Sequence, residues 1–414
     1  MPGKTEEGKP LGMDRREFLT LVSTGTLGGT LLSTIDDLGA PSASSLPTAS
    51  SSTHGMKYRR LGRTEMMVSE IAMGCSPQGQ KTPEGEYFQK LTRIIQMAID
   101  RGVNLIDTAP TYFSEKMVGA AIKGRRDKVY IATKAESLDR DELIRGVEQS
   151  LRDLGTDYID LLHEHAHYET PEEIFTKPGF LEACEKLKRD GKLRFSGISG
   201  HSVSIHIEAI KTGYFDTCMI PYNYLIREPG EVLFPLAKKL DVGVLVIKPM
   251  TGNFKPWEQM SGDRRLDDLK IEFNQANYAR ASIKWALSNQ HVAGLVIGME
   301  FERDVIEDTA MAGERFTEDD EGLLAFYASA VSSDYCTMCN KCLPCPEGVA
   351  IPNVLRFMTY HDNYGHRERA RRLYEQLPVL SNADQCTDCG ECEPRCPVKI
   401  PIVRKLRTAH ATLA

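Results

Sequence analysis

The chain has 414 residues, of which 41% are hydrophobic, with 51 Lys and Arg against 58 Asp and Glu for a net charge of -7. That length predicts two or three domains with a sizeable core, and the acidic balance leaves no electrostatic footprint for nucleic acid. No run of about 18 apolar residues offers a membrane span.

The amino terminus places Arg15-Arg16 ahead of Phe18-Leu19, followed by a weakly apolar stretch over 21–35 and a low-complexity run over 40–52. This resembles a twin-arginine export signal, an address for proteins that cross a membrane already folded. It implies a periplasmic or extracytoplasmic protein, with 1–54 as signal and linker.

From about residue 70, β-branched runs alternate with amphipathic helical patterns, which predicts βα units and a parallel sheet. The expected strands are 70–75, 104–109, 128–135, 158–165, 193–200, 217–223, 244–250 and 293–299. Between them, 87–100 sets Leu91, Ile94, Ile95 and Ala98 on one helical face, and 141–154 does the same with Leu143, Ile144, Val147 and Leu151. Eight such units predict a TIM (β/α)8 barrel over 55–315, whose chemistry belongs at the carboxyl ends of its strands.

At those ends stand Asp107 and Tyr112 after the second strand, Lys134 at the close of the third and His165 at the close of the fourth. A phenol that gives a proton to a nascent alkoxide works with a neighbouring ammonium, and a carboxylate keeps that ammonium charged and in place. The four residues, with the lead-in Tyr58-Arg59-Arg60-Leu61-Gly62, resemble the aldo-keto reductase family. The resemblance implies that Tyr112 is the acid, Lys134 and Asp107 its support, and His165 the group that orients a small carbonyl or alcohol substrate. It also implies NAD(P) across the same face, contacted by Ser199, Gly298 and Arg303. Gly200 and Met219 stand where the family has Asn and Gln, and Glu300 and Glu302 oppose a 2'-phosphate dianion, which leaves NAD or another reductant open.

His163-Glu164-His165-Ala166-His167 also matches H-E-x-x-H. On a helix, His163, Glu164 and His167 would make a zinc hydrolase, but the segment reads as a strand.

The remaining eight of the eleven cysteines cluster in the last eighty residues, since Cys75, Cys184 and Cys218 are scattered earlier. Cys386-x2-Cys389-x2-Cys392-x3-Cys396-Pro397 is the bacterial ferredoxin pattern, and Cys336-x2-Cys339-x2-Cys342-x2-Cys345-Pro346 is one residue shorter in its last step. Three thiolates of each run serve one cubane and the fourth serves the other. Cys336, Cys339, Cys342 and Cys396 are thus expected to hold one [4Fe-4S] cluster, and Cys386, Cys389, Cys392 and Cys345 a second. A zinc ribbon is the rival reading of paired C-x2-C units. The helical pattern over 367–376 in the spacer predicts a helical ferredoxin-like domain over 316–414.

The expectation is an exported aldo-keto reductase with accessory clusters and a possible redox partner protein. Hydride moves two electrons and a cubane moves one, so direct coupling needs a converter for which no motif is present. The alternative is an electron-transfer protein that uses the barrel as a non-catalytic scaffold.

Overall fold

The structure is a computed structural model and describes residues 54–76, 85–168, 170–250, 267, 269–331, 335–362 and 366–414. The Arg15-Arg16 signal lies outside the described residues.

A hairpin of β1 (Tyr58–Arg60) and β2 (Met67–Ser69) precedes eight barrel strands. These are β3 (Ile71–Gly74), β4 (Leu105–Asp107), β5 (Tyr130–Ala135), β6 (Ile159–His165), β7 (Leu193–Ser199), β8 (Thr217–Pro221), β9 (Gly243–Ile247) and β10 (Val292–Gly298). All pair in parallel, and β10 closes on β3. Every expected strand is present.

The two-residue alternation of the strands builds two concentric layers. Leu105, Leu161 and Leu245 point inward to a core shared with Leu61, Met66 and Val68 of the hairpin segment. Their neighbours Ile106, Leu162 and Val246 point outward to the helices. Arg59 bolts the hairpin to the barrel bottom, donating to Glu70 at 2.7 Å and to the carbonyls of Leu287, Asn289 and Val292.

The surrounding helices are α1 (Gly85–Asp100), α2 (Glu115–Ile122), α3 (Arg140–Leu154), α4 (Gly179–Arg189), α5 (Val203–Lys211), α6 (Phe234–Lys239), α7 (Gln275–Ser288), α8 (Glu302–Thr309) and α9 (Glu318–Val331). Helix α1 buries the predicted face, Leu91, Ile94, Ile95 and Ala98. Each of the three larger side chains contributes roughly 1.5–3 kcal/mol by burial, several times any intrinsic propensity term. Helix α3 starts where the Asp139 carboxylate accepts from the amides of Asp141 and Glu142, and it stops at Gly155, whose φ of 62° suits a left-handed cap.

Helix α9 departs from the expected division at residue 315. Leu323, Leu324 and Tyr327 pack with Tyr278 and Ala281 of α7, and Lys284 holds Asp320 at 2.6 Å. By packing it joins α7 on the outside of the barrel. A separate core then gathers Val354, Leu355 and Phe357 of α10 (Ile351–Asp362), Ala370 and Tyr374 of α11 (Arg367–Glu375), and Leu406 and Leu413 of α12 (Ile402–Leu413) around Cys342, Cys392 and Cys396.

Candidate active site and cluster sites

The strand register sets the first site. Asp107 pairs with Ala132 and Lys134 with His163, so Asp107 and Lys134 come together at adjacent strand ends. The Lys134 ammonium donates to the Asp107 carboxylate and, at 3.0 Å, to the Thr108 carbonyl. Both side chains are buried. Burial pushes the Asp107 pKa up, and the Lys134 charge and hydrogen bond oppose it. Removing either partner would strand a charge in a low-dielectric site.

Tyr112 lies on a short turn after β4, with Lys134 Nζ 5.7 Å from its ring centre. Its Oη is 3.4 Å from His165 Nε2, and the two rings meet edge to face. Burial raises the Tyr112 pKa well above that of an ordinary phenol, the Asp107 charge adds to this, and Arg369 opposes it. The phenol is therefore protonated at neutral pH.

Glu136, absent from the sequence-based expectations, accepts from His165 Nδ1 at 2.9 Å and from the Thr111 hydroxyl at 2.9 Å. Burial would raise its pKa, but the hydrogen bond and charge of His165 outweigh that and lower it. The carboxylate fixes Nδ1 as the N–H donor and so turns Nε2 toward the Tyr112 hydroxyl. The signal was available in the sequence, since Glu136 directly follows β5 at the catalytic rim.

The rim is strained where these groups are displayed. Phe113, Ala166 and Lys248 follow Tyr112, His165 and Ile247 and take φ of 57°, 60° and 55°. Left-handed conformation costs roughly 1–2 kcal/mol for each such residue.

His163 and Glu164 lie on strand β6, not on a helix. His163 Nε2 is 3.0 Å from the Thr217 hydroxyl, whereas Glu164 Oε1 accepts the His167 amide. Successive strand residues point to opposite faces, so the H-E-x-x-H geometry for zinc is not formed.

Ser199 ends β7 opposite His165 in register. It is 4% exposed, and its hydroxyl at the rim can both donate to and accept from a carboxamide. Gly298 ends β10, and Arg303 lies in the first turn of α8. There the Asp304 carboxylate already takes the amides of Glu300 and Phe301, each at 3.0 Å, and lies 3.4 Å from Arg303 Nε.

The iron-sulfur unit reaches the same rim through residues the sequence did not flag. Lys248 Nζ is 3.3 Å from the Tyr360 hydroxyl and 3.0 Å from His201 Nε2, and Arg356 Nη1 is 3.1 Å from His201 Nδ1. Tyr360 and Arg369 both act electrostatically on Tyr112.

Thiols of the two runs come together in space. Burial raises the Cys336 thiol to about 12, and the neighbouring thiols that add to it are Cys342, Cys339 and Cys396. Cys345, Cys386, Cys389 and Cys392 line one cavity. The two runs share one backbone pattern. Left-handed φ recurs two residues after the first cysteine, at Met338 and Asp388, four after it, at Asn340 and Gly390, and three after the last, at Gly348 and Lys399. Such alternation turns backbone amides toward an anionic guest. The missing residue between Cys342 and Cys345 is absorbed without disturbing that pattern. The donor set and cradle fit [4Fe-4S] clusters.

These features define a β/α-barrel oxidoreductase joined to a cluster-binding unit. Residues 70–322 match the aldo/keto reductase family and residues 332–400 match the 4Fe-4S dicluster domain, and the chain belongs to the aldo/keto reductase family. The oxidoreductase YqkF of Bacillus subtilis is 28% identical over 299 residues, covering 64% of this chain and 94% of its own. L-Galactose dehydrogenase of Arabidopsis thaliana is 26% identical over 287 residues, covering 63% and 89%. The holo form of an aldo-keto reductase from Bacillus halodurans superposes with a TM-score of 0.56 at 27% identity, covering 66% of this chain and 96% of that one.

Proposed function

We propose that the chain interconverts a small carbonyl compound and its alcohol at the barrel rim, with Tyr112 as the proton donor. The observation that carries this reading is the linked set Asp107–Lys134 and Glu136–His165 converging on the Tyr112 phenol. A bound reduced nicotinamide supplies the hydride, and Ser199 is the side chain suited to hold its carboxamide. His165 and Tyr112 orient the carbonyl oxygen, and as charge builds there Tyr112 releases its proton to it. The Lys134 ammonium then stabilises the phenolate left behind. The family uses NADP, and Arg303, with the Asp304 carboxylate 3.4 Å from its Nε, is the cation suited to a 2'-phosphate.

The cluster unit supports two roles: exchange of electrons with a partner redox protein, and scaffolding of α10 and α11 at the rim. Arg15-Arg16 supports export after the clusters are built. Replacing Tyr112 with Phe and following the reduction of an aldehyde panel with NADH and NADPH tests the central claim. A loss of about 100-fold or more in kcat is expected, and unchanged turnover sinks it.

A further inference from the structure

The iron-sulfur unit meets the barrel through charged side chains. Helix α10 carries Arg356 and, one turn later, Tyr360 to residues that follow two barrel strands. The Tyr360 hydroxyl is 3.3 Å from Lys248 Nζ, which lies 4.9 Å from the same ring's centre, and Arg356 Nη1 is 3.1 Å from His201 Nδ1. Arg369 of α11 sets its guanidinium 5.3 Å from the Tyr360 ring centre. Lys248 is displayed by a left-handed backbone, and the Asn223 side-chain amide donates to its carbonyl at 3.0 Å. Strain of that kind persists where the surrounding structure holds a side chain in one place.

These anchors share a rim with the proton donor. Lys248 directly follows β9 and His201 lies just beyond β7, across the barrel order from β4 and Tyr112. His201 is two residues past Ser199, the register partner of His165, and His165 Nε2 is 3.4 Å from the Tyr112 hydroxyl.

The charged groups about Tyr360 are Lys248, Arg356 and Arg369, with His201 and Tyr112 the neighbouring titratable groups. Burial would raise the Tyr360 phenol, but the three cations and the Lys248 hydrogen bond bring it down to about 7. On Tyr112, burial and then Asp107 oppose ionisation, Arg369 favours it, and Glu136 and Tyr360 oppose it. The two contributions from the iron-sulfur unit thus have opposite signs.

We propose that Tyr360 and Arg369 are positioning residues that act through Tyr112, the Arg369 cation making it a readier proton donor and the Tyr360 phenolate a more reluctant one. This rests on the reading of Tyr112 as the donor of a carbonyl-reducing site. In that step the Tyr112 O–H bond breaks, its proton goes to the carbonyl oxygen as hydride adds to the carbon, and a phenolate remains. A nearby cation stabilises that phenolate, and a second phenolate destabilises it. Ionised Tyr360 therefore slows the reduction.

The test uses the cluster-loaded full chain. Difluorotyrosine in place of Tyr112 is a stronger acid than tyrosine, and its fluorine resonance reports its ionisation directly. Tyr360→Phe is expected to lower its titration midpoint and Arg369→Gln to raise it, each by roughly half a pH unit or more. In single-turnover reduction of an aldehyde, without the label, Tyr360→Phe is expected to exceed the native rate by a factor that grows to about two- to fivefold between about pH 6 and 8. Arg369→Gln is expected to be slower by a similar factor at about pH 6, where Tyr360 is neutral. Structural damage would slow both variants. Midpoints that do not move, or that move in the same direction, overturn the proposal, and so do unchanged single-turnover rates in both variants. If no aldehyde is reduced, or Tyr112→Phe turns over as the native chain does, the carbonyl-reductase reading fails by itself. The fluorine midpoints then decide whether the two residues set how readily Tyr112 gives up its proton, upheld by opposite shifts and overturned by their absence.

Discussion

Glu136 holds Nδ1 of His165 at 2.9 Å, and this contact selects the imidazole nitrogen that faces Tyr112. An acceptor at position 136 keeps Nδ1 as the donor and Nε2 toward the phenol. Glu136→Gln retains an acceptor oxygen and is expected to lower kcat only a few-fold, whereas Glu136→Leu frees the ring and is expected to cost about 10- to 100-fold in kcat with little change in KM. Steady-state kinetics on both variants checks the order, and equal losses would point to simple structural damage.

Tyr360 should titrate near neutrality. Burial alone raises a phenol, but the charges of Lys248, Arg356 and Arg369 and the Lys248 hydrogen bond override it and bring Tyr360 down to about 7. With its folded pKa below the unfolded value near 10, ionised Tyr360 contributes stability in full only above about pH 10. That contribution shrinks as the pH falls and is gone below about 7. Lys248, lowered by burial, acts in the same direction, and His201 and Tyr112 are further titratable groups in reach. The expected outcome is a Tm gap between the native protein and Tyr360→Phe that widens from about pH 7 to 9, alongside a tyrosinate ultraviolet band absent from the variant.

The crossed cysteine sets distinguish two double variants. Cys336→Ala with Cys396→Ala removes two ligands of one cluster and should leave four irons per chain. Cys336→Ala with Cys345→Ala takes one ligand from each set and should perturb both clusters. Iron and sulfide analysis with electron paramagnetic resonance of the reduced proteins reads the difference, and the reverse pattern would mean uncrossed ligation.

Gly119 on α2 lies against the end of α3. A Cβ there would come within 2.7 Å of the carbonyl oxygens of Asp153 and Leu154, which are backbone atoms and cannot swing aside. Gly119→Ala gains helix propensity but forces the helices apart, with a net loss of about 1–3 kcal/mol expected in denaturant unfolding. A stabilised variant would show that the two helices separate freely.

The barrel was legible because its signals are local. Strand runs such as Tyr130–Ala135 and faces such as Leu91, Ile94 and Ile95 announce themselves within a few residues, and so do Asp107, Lys134 and the cysteine spacings. Glu136 was within reach of the same reasoning but carried no motif. The contacts of Tyr360 with Lys248 and of Arg356 with His201 join positions more than a hundred residues apart, and no periodicity encodes them. The packing of α9 is equally hidden: its face reads alike for either neighbour, and the contact of Leu323 and Tyr327 with α7 is what the structure adds.

Helix α10 begins six residues after Cys345, and its far end delivers Arg356 and Tyr360 to the barrel. The seat of that helix is built on cluster ligands, while Asp107, Lys134, Glu136 and His165 owe nothing to them. A chain made under iron starvation would lose the seats of α10 and α11, and with them the charges of Arg369 and Tyr360 that bear on Tyr112. Metal supply would then reach the proton donor through the packing of two helices, without any electron having to flow.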